Sequence, residues 1–145
     1  MHERLPSRRL LAATLIAVAS LASGGCQSSL RVTVESAPTT NDGKPLYVMI
    51  AALDGHSLLA ESYEIAASRL FKNPRDTSVL HRESIFPGHT KEFTISKPDE
   101  GDVAVYVFFT NPGRDWRHPL RTPVPSDVVV ELGKNNIKRL IVRSK

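Results

Sequence analysis

Among the residues of this 145-residue chain, Cys26 is the one for which the neighbouring sequence indicates a specific chemistry most clearly. It is the one cysteine in the sequence, and it directly follows the small residues Ser23, Gly24 and Gly25. A thiol that becomes the first mature residue after such a cleavage site can take a diacylglyceryl group on its sulfur, as in a bacterial lipoprotein precursor. We therefore predict that Cys26 is lipidated and forms no disulfide and no metal site.

The residues before Cys26 have the parts of a secretory signal peptide. Residues 1–9 carry three arginines against one glutamate, and residues 10–22 (LLAATLIAVASLA) are apolar and uncharged. This run is too short for a bilayer span, which needs about 20 residues. The alternative is an ordinary signal-peptide cleavage site that is followed by a free cysteine. The pair Arg8-Arg9 is also compatible with a twin-arginine signal, so the export route can be either Sec or twin-arginine. The predicted divisions are a signal peptide at 1–25, a lipidated tether at 26–29 and one domain at 30–145.

The predicted anchor also indicates a compartment. Each buried methylene of an acyl chain adds about 0.8 kcal/mol of membrane affinity, so two or more chains hold a protein stably on a bilayer. Gln27 stands after Cys26, where an aspartate is the usual signal for retention at the inner membrane. We therefore expect the protein on the outer membrane, facing the periplasm.

Histidines and one carboxylate are the candidates for catalysis or metal binding. His81 and Glu83 lie two apart in a predicted strand and can point to the same side, whereas His89 and His118 are distant in sequence. The sequence contains neither an HExxH pattern nor a G-x-S-x-G elbow. We predict no enzymatic activity, no cofactor beyond the lipid and no metal. A periplasmic enzyme that uses these four residues is an alternative.

Asp115-Trp116-Arg117-His118, with Arg114 and Arg121 nearby, combines an aromatic ring with cations. Such a combination can bind anions or nucleic acid. The chain carries a formal charge of +4, and residues 1–25 account for half of it, so the case for a nucleic-acid partner is weak. We favour a tryptophan that plugs the end of the fold, surrounded by solvated arginines.

Short strands must position these residues, because apolar and polar side chains alternate through most of the chain. Leu59, Tyr63, Ala66 and Leu70 recur at helical spacing and predict one amphipathic helix within residues 57–71. Regular turn signals between the strands predict an all-β antiparallel β-sandwich with one short helical insertion. The predicted strands cover residues 30–35, 46–53, 77–86, 91–96, 102–110, 128–132 and 137–142.

Several stretches, in their order, resemble the type VI secretion lipoprotein family TssJ, also called SciN. The chain differs from the family in having Ser23 where leucine is usual and in a shorter, proline-rich stretch from Asn111. The resemblance implies a transthyretin-like β-sandwich without catalytic activity on the outer membrane. It also implies binding to the periplasmic domain of the inner-membrane protein TssM, in a trans-envelope complex that includes TssL. The matching stretches are Asn41–Pro45 before Leu46–Leu53, Ser62–Phe71, Ile85–Gly88, Val103–Phe109 and Asp115–Arg117.

In that family the loop between the first two strands contributes to the TssM contact. Carried over to this chain, the loop is residues 36–45, which offer hydrogen-bonding groups without a large apolar patch. A tight turn at Asn41-Asp42-Gly43 is the alternative interpretation. A generic lipid-anchored periplasmic binding module, pilotin-like or chaperone-like, is the alternative function. The implied partner-binding residues are Thr39, Thr40, Asn41, Asp42, Gly43 and Lys44.

Overall fold

The structure, a computed structural model, describes residues 28–53, 60–72 and 74–143. The predicted signal peptide, the lipidation of Cys26 and the first residues of the predicted helix lie outside this part of the chain. No helix in the described part is both long and apolar enough to cross a bilayer.

Eight strands and one α-helix make up the described residues, arranged as two packed four-stranded sheets. The first sheet has the strand order β4-β1-β7-β8 and the second has the order β3-β2-β5-β6. The predicted sandwich with one helical insertion is confirmed. In chain order the elements are β1 (Ser29–Ser36), β2 (Leu46–Leu53), α1 (Tyr63–Phe71), β3 (Val79–Ile85), β4 (Thr90–Ser96), β5 (Asp102–Phe108), β6 (Arg117–Leu120), β7 (Asp127–Leu132) and β8 (Ile137–Val142).

One pairing differs from the antiparallel arrangement that we predicted. β1 and β7 are parallel, with Val32 opposite Val128 and Val34 opposite Val130. The chain reaches β7 only after passing through β5 and β6 of the other sheet, so β7 enters beside β1 at the end where β1 begins. Turn signals in a sequence mark where strands end, but they do not reveal such a crossover.

The core between the sheets follows directly from the alternation in the sequence. On β1 the side chains of Leu30, Val32 and Val34 are fully buried, and alternate residues of β2, β5 and β7 meet them. β2 and β5 are the two inner strands of their sheet, and both of their faces are covered. This explains why the sequence of β2, LYVMIAAL, is apolar throughout.

Helix α1 covers the outer face of the second sheet. The Ile65 N–H donates to Ser62 Oγ over 3.3 Å, so Ser62 caps the helix at its start. Ala66 and Leu70 then pack on the sheet and form a second apolar cluster with Met49, Ala51, Ala104, Tyr106 and Phe108.

The segment around Trp116 differs from our prediction. Arg117 and His118, which lie outside the predicted strands, belong to β6, an edge strand whose proline hides its strand character in the sequence. Trp116 does not plug the end of the sandwich. It packs against the cluster beneath α1, with its ring 5.1 Å from that of Tyr63 and 4.7 Å from the Arg117 guanidinium carbon.

The strand directions give the sandwich two distinct ends. Four connections lie at the end where β1 finishes, and we call this end the loop pole: residues 37–45, 86–89, 109–116 and 133–136. The start of β1 lies at the opposite end, the tether pole, where the Lys97 N–H donates to the Ser28 carbonyl over 2.9 Å. With about 3.3 Å per residue, the eight residues of β1 separate the two poles by about 25 Å.

Candidate partner-binding site

The β1–β2 loop contains a left-handed turn. Asn41, Asp42 and Gly43 have φ angles of 52°, 53° and 74° in succession. Asparagine, aspartate and glycine are the residues that tolerate this conformation best, which is why this tripeptide can form the turn. The turn predicted at these residues is therefore confirmed.

Asn41 holds the turn in place. Its side-chain Nδ2 donates to the carbonyls of Lys44 and Pro45, each over 3.1 Å, and its Oδ1 accepts the Thr110 N–H over 2.7 Å. Its backbone N–H donates to the Lys134 carbonyl over 2.7 Å. Asn41 is 4% exposed. The side chain of Asn41 thus joins the β1–β2 loop to the loop that follows β5, and its backbone N–H joins it to the loop that follows β7.

The six predicted partner-binding residues divide into two groups. Thr40 is buried like Asn41, and its Oγ1 accepts the Ala37 N–H over 3.2 Å, so both side chains serve the loop itself. The other four are exposed and available to a partner: Thr39, Asp42, Gly43 and Lys44.

The exposed part of the loop borders a groove of about 440 Å³. Pro38, Thr39, Asp42 and Gly43 line it from the loop, and Lys134 of the β7–β8 turn lines it from the opposite side. Lys134 Nζ lies 3.2 Å from Asp42 Oδ1, and both side chains are more than half exposed. Lys134 belongs to this surface, although the sequence alone does not place it near the loop.

The neighbouring connections brace this surface. The Gly113 N–H donates to the Asn135 carbonyl over 2.7 Å, and Ser36 Oγ donates to the His89 carbonyl over 2.9 Å. A Cβ on Gly113 would lie 3.2 Å from that same carbonyl oxygen, closer than ordinary van der Waals contact. A side chain at position 113 would therefore need the Asn135 carbonyl to shift by a few tenths of an ångström. The hydrogen bonds between these connections hold the loops of the loop pole against one another.

The residues considered for catalysis do not converge. His81 Nε2 lies 3.3 Å from Glu83 Oε2, which confirms that the two share one side of β3, and the His81 ring stacks on Phe93. His89 is in the β3–β4 turn, and His118 is on β6, at the other edge of the sheet from β3. Within the described residues no three histidine, cysteine or acidic side chains are grouped so that they could hold a metal ion.

A polar network lies beneath helix α1. Glu61 accepts from the Tyr106 hydroxyl and from Arg69 Nη1, both over 2.8 Å, and Arg69 Nε lies 3.4 Å from Asp76 Oδ2. Burial and the neighbouring Glu61 carboxylate raise the pKa of Tyr106 to about 12. Burial and the charge of Glu64 raise the pKa of Tyr63 to about 12 as well. The network attaches α1 to the sheet.

A sequence profile described as IglE, N-terminal domain, matches residues 47–132, which is more than half of the chain. The matched range runs from β2 to the end of β7. No curated protein matches the sequence.

Solved structures with the same fold come from type VI secretion systems. The lipoprotein TssJ1 of Pseudomonas aeruginosa is 15% identical over 82% of this chain and 98% of its own, with a TM-score of 0.63. A type VI membrane complex matches at 16% identity over 81% and 98%, with a TM-score of 0.60. A structure described as the TssM C-terminal domain from EAEC matches at 17% identity over 77% and 99%, with a TM-score of 0.57. At such identities the matches establish the fold, which is the transthyretin-like β-sandwich of TssJ.

Proposed function

Because the chain belongs to the IglE N-terminal-domain family of type VI secretion lipoproteins, we propose that it is a structural lipoprotein of a type VI membrane complex. It has no catalytic role in this proposal. Lipid on Cys26 anchors it in the outer membrane, facing the periplasm. The β1–β2 loop binds the periplasmic domain of a TssM-like inner-membrane protein, in an assembly that also contains a TssL-like protein.

The solved structures that share this fold support a role in a type VI membrane complex. One is a type VI membrane complex and another is described as a TssM C-terminal domain. Both match nearly the full length of the compared chain. These similar structures support a TssM-like protein as the partner.

The observation that carries the proposal is the position of the loop. The β1–β2 loop lies at the loop pole, whereas the tether leads into β1 at the tether pole. A lipid on Cys26, three residues before β1, would hold the tether pole near the bilayer. The exposed loop residues would then face away from the membrane, toward a protein that reaches across the periplasm.

The anchoring part of the proposal is tested with Cys26→Ser. We expect a folded protein that no longer fractionates with the outer membrane and cells that no longer secrete by the type VI system. Membrane fractionation and a secretion assay measure both effects. Normal secretion by the variant would contradict the anchoring role.

The binding part is tested by calorimetry with the TssM-like periplasmic domain from the same genome. We expect a Kd in the micromolar range or tighter, which corresponds to about −8 kcal/mol. Replacing the exposed residues together, as Thr39→Ala, Asp42→Ala and Lys44→Ala, should weaken binding at least tenfold. Their side chains make no contact that the fold depends on, since Asp42 pairs only with the exposed Lys134 within the described residues.

The matched control is Glu92→Ala. Glu92 is also exposed, but it lies on β4, away from the loop pole, and it forms a 3.9 Å surface ion pair with Arg31. We expect this variant to bind like the unchanged protein. Absence of binding by a protein that is folded by circular dichroism would instead favour a generic lipid-anchored binding module.

A further inference from the structure

Strand β3 is an open edge of the second sheet. Among the described strands it pairs with β2 alone, so its other side leaves backbone N–H and C=O groups without a strand partner. β3 has seven residues, whereas the opposite edge strand, β6, has four and contains Pro119. β3 is thus the edge of this sheet that could accept another strand.

Three exposed aromatic side chains lie beside this edge. Phe71 and Phe86 are each 60% exposed and Tyr47 is 41% exposed. Tyr47 stands opposite Ser84 in the β2–β3 pairing, and its ring meets that of Phe71 edge to face at 5.2 Å. Phe86 directly follows β3. Clustered apolar exposure of this kind marks interaction surfaces.

Two grooves adjoin along β3 and share the residues Glu83 and Ser84. One, of about 180 Å³, lies beside Phe71 and Tyr47, and the other, of about 380 Å³, lies beside Phe86. Each is large enough for one apolar side chain. The first groove lies on the face of the sheet that α1 covers, and the second lies on the other face, toward β4. Successive side chains of an added strand point to opposite faces, so one set would enter the first groove and the alternate set the second.

The charge around the edge is mainly positive. Lys91 lines the second groove and is half exposed, and the exposed Lys72 directly follows Phe71. Glu83 is the acidic residue of both grooves, and it already lies 3.3 Å from His81 and 3.5 Å from Lys91. A second copy of this chain would bring lysines against lysines, whereas an acidic segment would complement them.

We propose that β3 is a docking edge for an extended segment of a partner protein in which apolar and acidic side chains alternate. The segment pairs its backbone with β3 as a fifth strand of the sheet, and its apolar side chains enter the groove beside Phe71 and Tyr47. Its carboxylates point to the opposite face and lie in the groove beside Phe86, near Lys91. Backbone pairing supplies affinity in this mode, and the grooves supply selectivity. The β1–β2 loop is not part of this surface.

The test uses the full chain in detergent micelles and a fluorescein-labelled nine-residue peptide that alternates valine with glutamate. Fluorescence anisotropy should detect binding, and hydrogen exchange should show slower exchange at β3 amides with the peptide present. We expect Phe71→Asp to weaken binding at least tenfold and Lys91→Glu to weaken it severalfold. The matched control is Val142→Asp, because Val142 is 56% exposed on β8 of the other sheet.

Two further peptides separate the parts of the proposal. A peptide with lysine in place of glutamate should bind at least tenfold more weakly, and one with alternate backbone nitrogens methylated should not bind. Equal binding of the methylated peptide would overturn strand addition, and so would equal weakening by Val142→Asp. Absence of binding to the glutamate peptide would overturn the proposal. A dimer in sedimentation that Phe71→Asp dissociates would also overturn it, since the occupant would then be a second copy.

Discussion

Asn41→Ala should be among the most damaging single changes at the loop pole. The substitution removes three side-chain hydrogen bonds, to Lys44, Pro45 and Thr110. Each bond contributes about 1 kcal/mol net. The three partner residues are exposed, so water can replace part of this, and we assign about 2 kcal/mol to the bonds. Alanine at a φ of 52° costs a further 1–2 kcal/mol or so. The expected loss is about 3–4 kcal/mol of the free energy of unfolding.

Urea unfolding followed by far-UV circular dichroism and by Trp116 fluorescence measures this loss. Asn41→Gly keeps the left-handed turn without strain, so it should lose about 2 kcal/mol through the hydrogen bonds alone. Asp42→Ala is the matched control, because Asp42 has a φ of 53° but its side chain forms only an exposed ion pair within the part of the chain that the structure describes. It should lose about 1–2 kcal/mol, the cost of alanine at this φ. Our reasoning fails if Asn41→Ala loses no more than Asp42→Ala, or if Asn41→Gly is as unstable as Asn41→Ala.

Three further changes test the rest of the fold. Since the pKa values of Tyr106 and Tyr63 are raised to about 12, the stability that these two tyrosines contribute should be constant below about pH 10 and be lost between about pH 10 and 12, with roughly 3 kcal/mol from Tyr106. Arg69→Met leaves the Glu61 carboxylate, 7% exposed, without its cation and should cost about 3 kcal/mol. Gly88→Ala should cost about 1–2 kcal/mol, because its φ is +84°.

Each of these changes has its own control, and unfolding midpoints are the measurement throughout. Tyr106→Phe should make the alkaline fall shallower, and an unchanged fall would assign it to other groups. Adding Glu61→Gln to Arg69→Met should restore much of the lost stability, since the amide oxygen can still accept from the tyrosine. Gly113→Ala is the comparison for Gly88→Ala, because it introduces a close contact rather than a positive φ.

The strands could be predicted from the sequence because burial imposes a simple period on them. The alternation of Val103, Val105 and Val107 fixes the inner face of β5, and the uniform apolarity of β2 reveals an inner strand with two covered faces. β6 could not be predicted, because a four-residue edge strand with a proline has too little pattern. The parallel β1–β7 pair depends on a crossover between sheets, which leaves no local signal.

The candidate site could be predicted only in outline. The sequence places a turn at Asn41-Asp42-Gly43, but a turn signal does not say which side chains face inward. Asn41 is buried because its partners come from residue 110 and residue 134, nearly 70 and more than 90 positions along the chain. Lys134 enters the surface for the same reason. Contacts of such sequence separation arise from the fold as a whole.

The separation of the two poles has a mechanical consequence. β1 begins at the tether pole and leads into the β1–β2 loop at the loop pole. Within its sheet, β1 lies between β4 and β7. A pull between a lipid anchor and a partner on the loop would act along the axis of β1. The hydrogen bonds to both neighbouring strands would then bear the load together, in shear, instead of opening one after another. A domain that is loaded along an inner strand in this way would resist mechanical unfolding far better than one that is loaded along an edge strand.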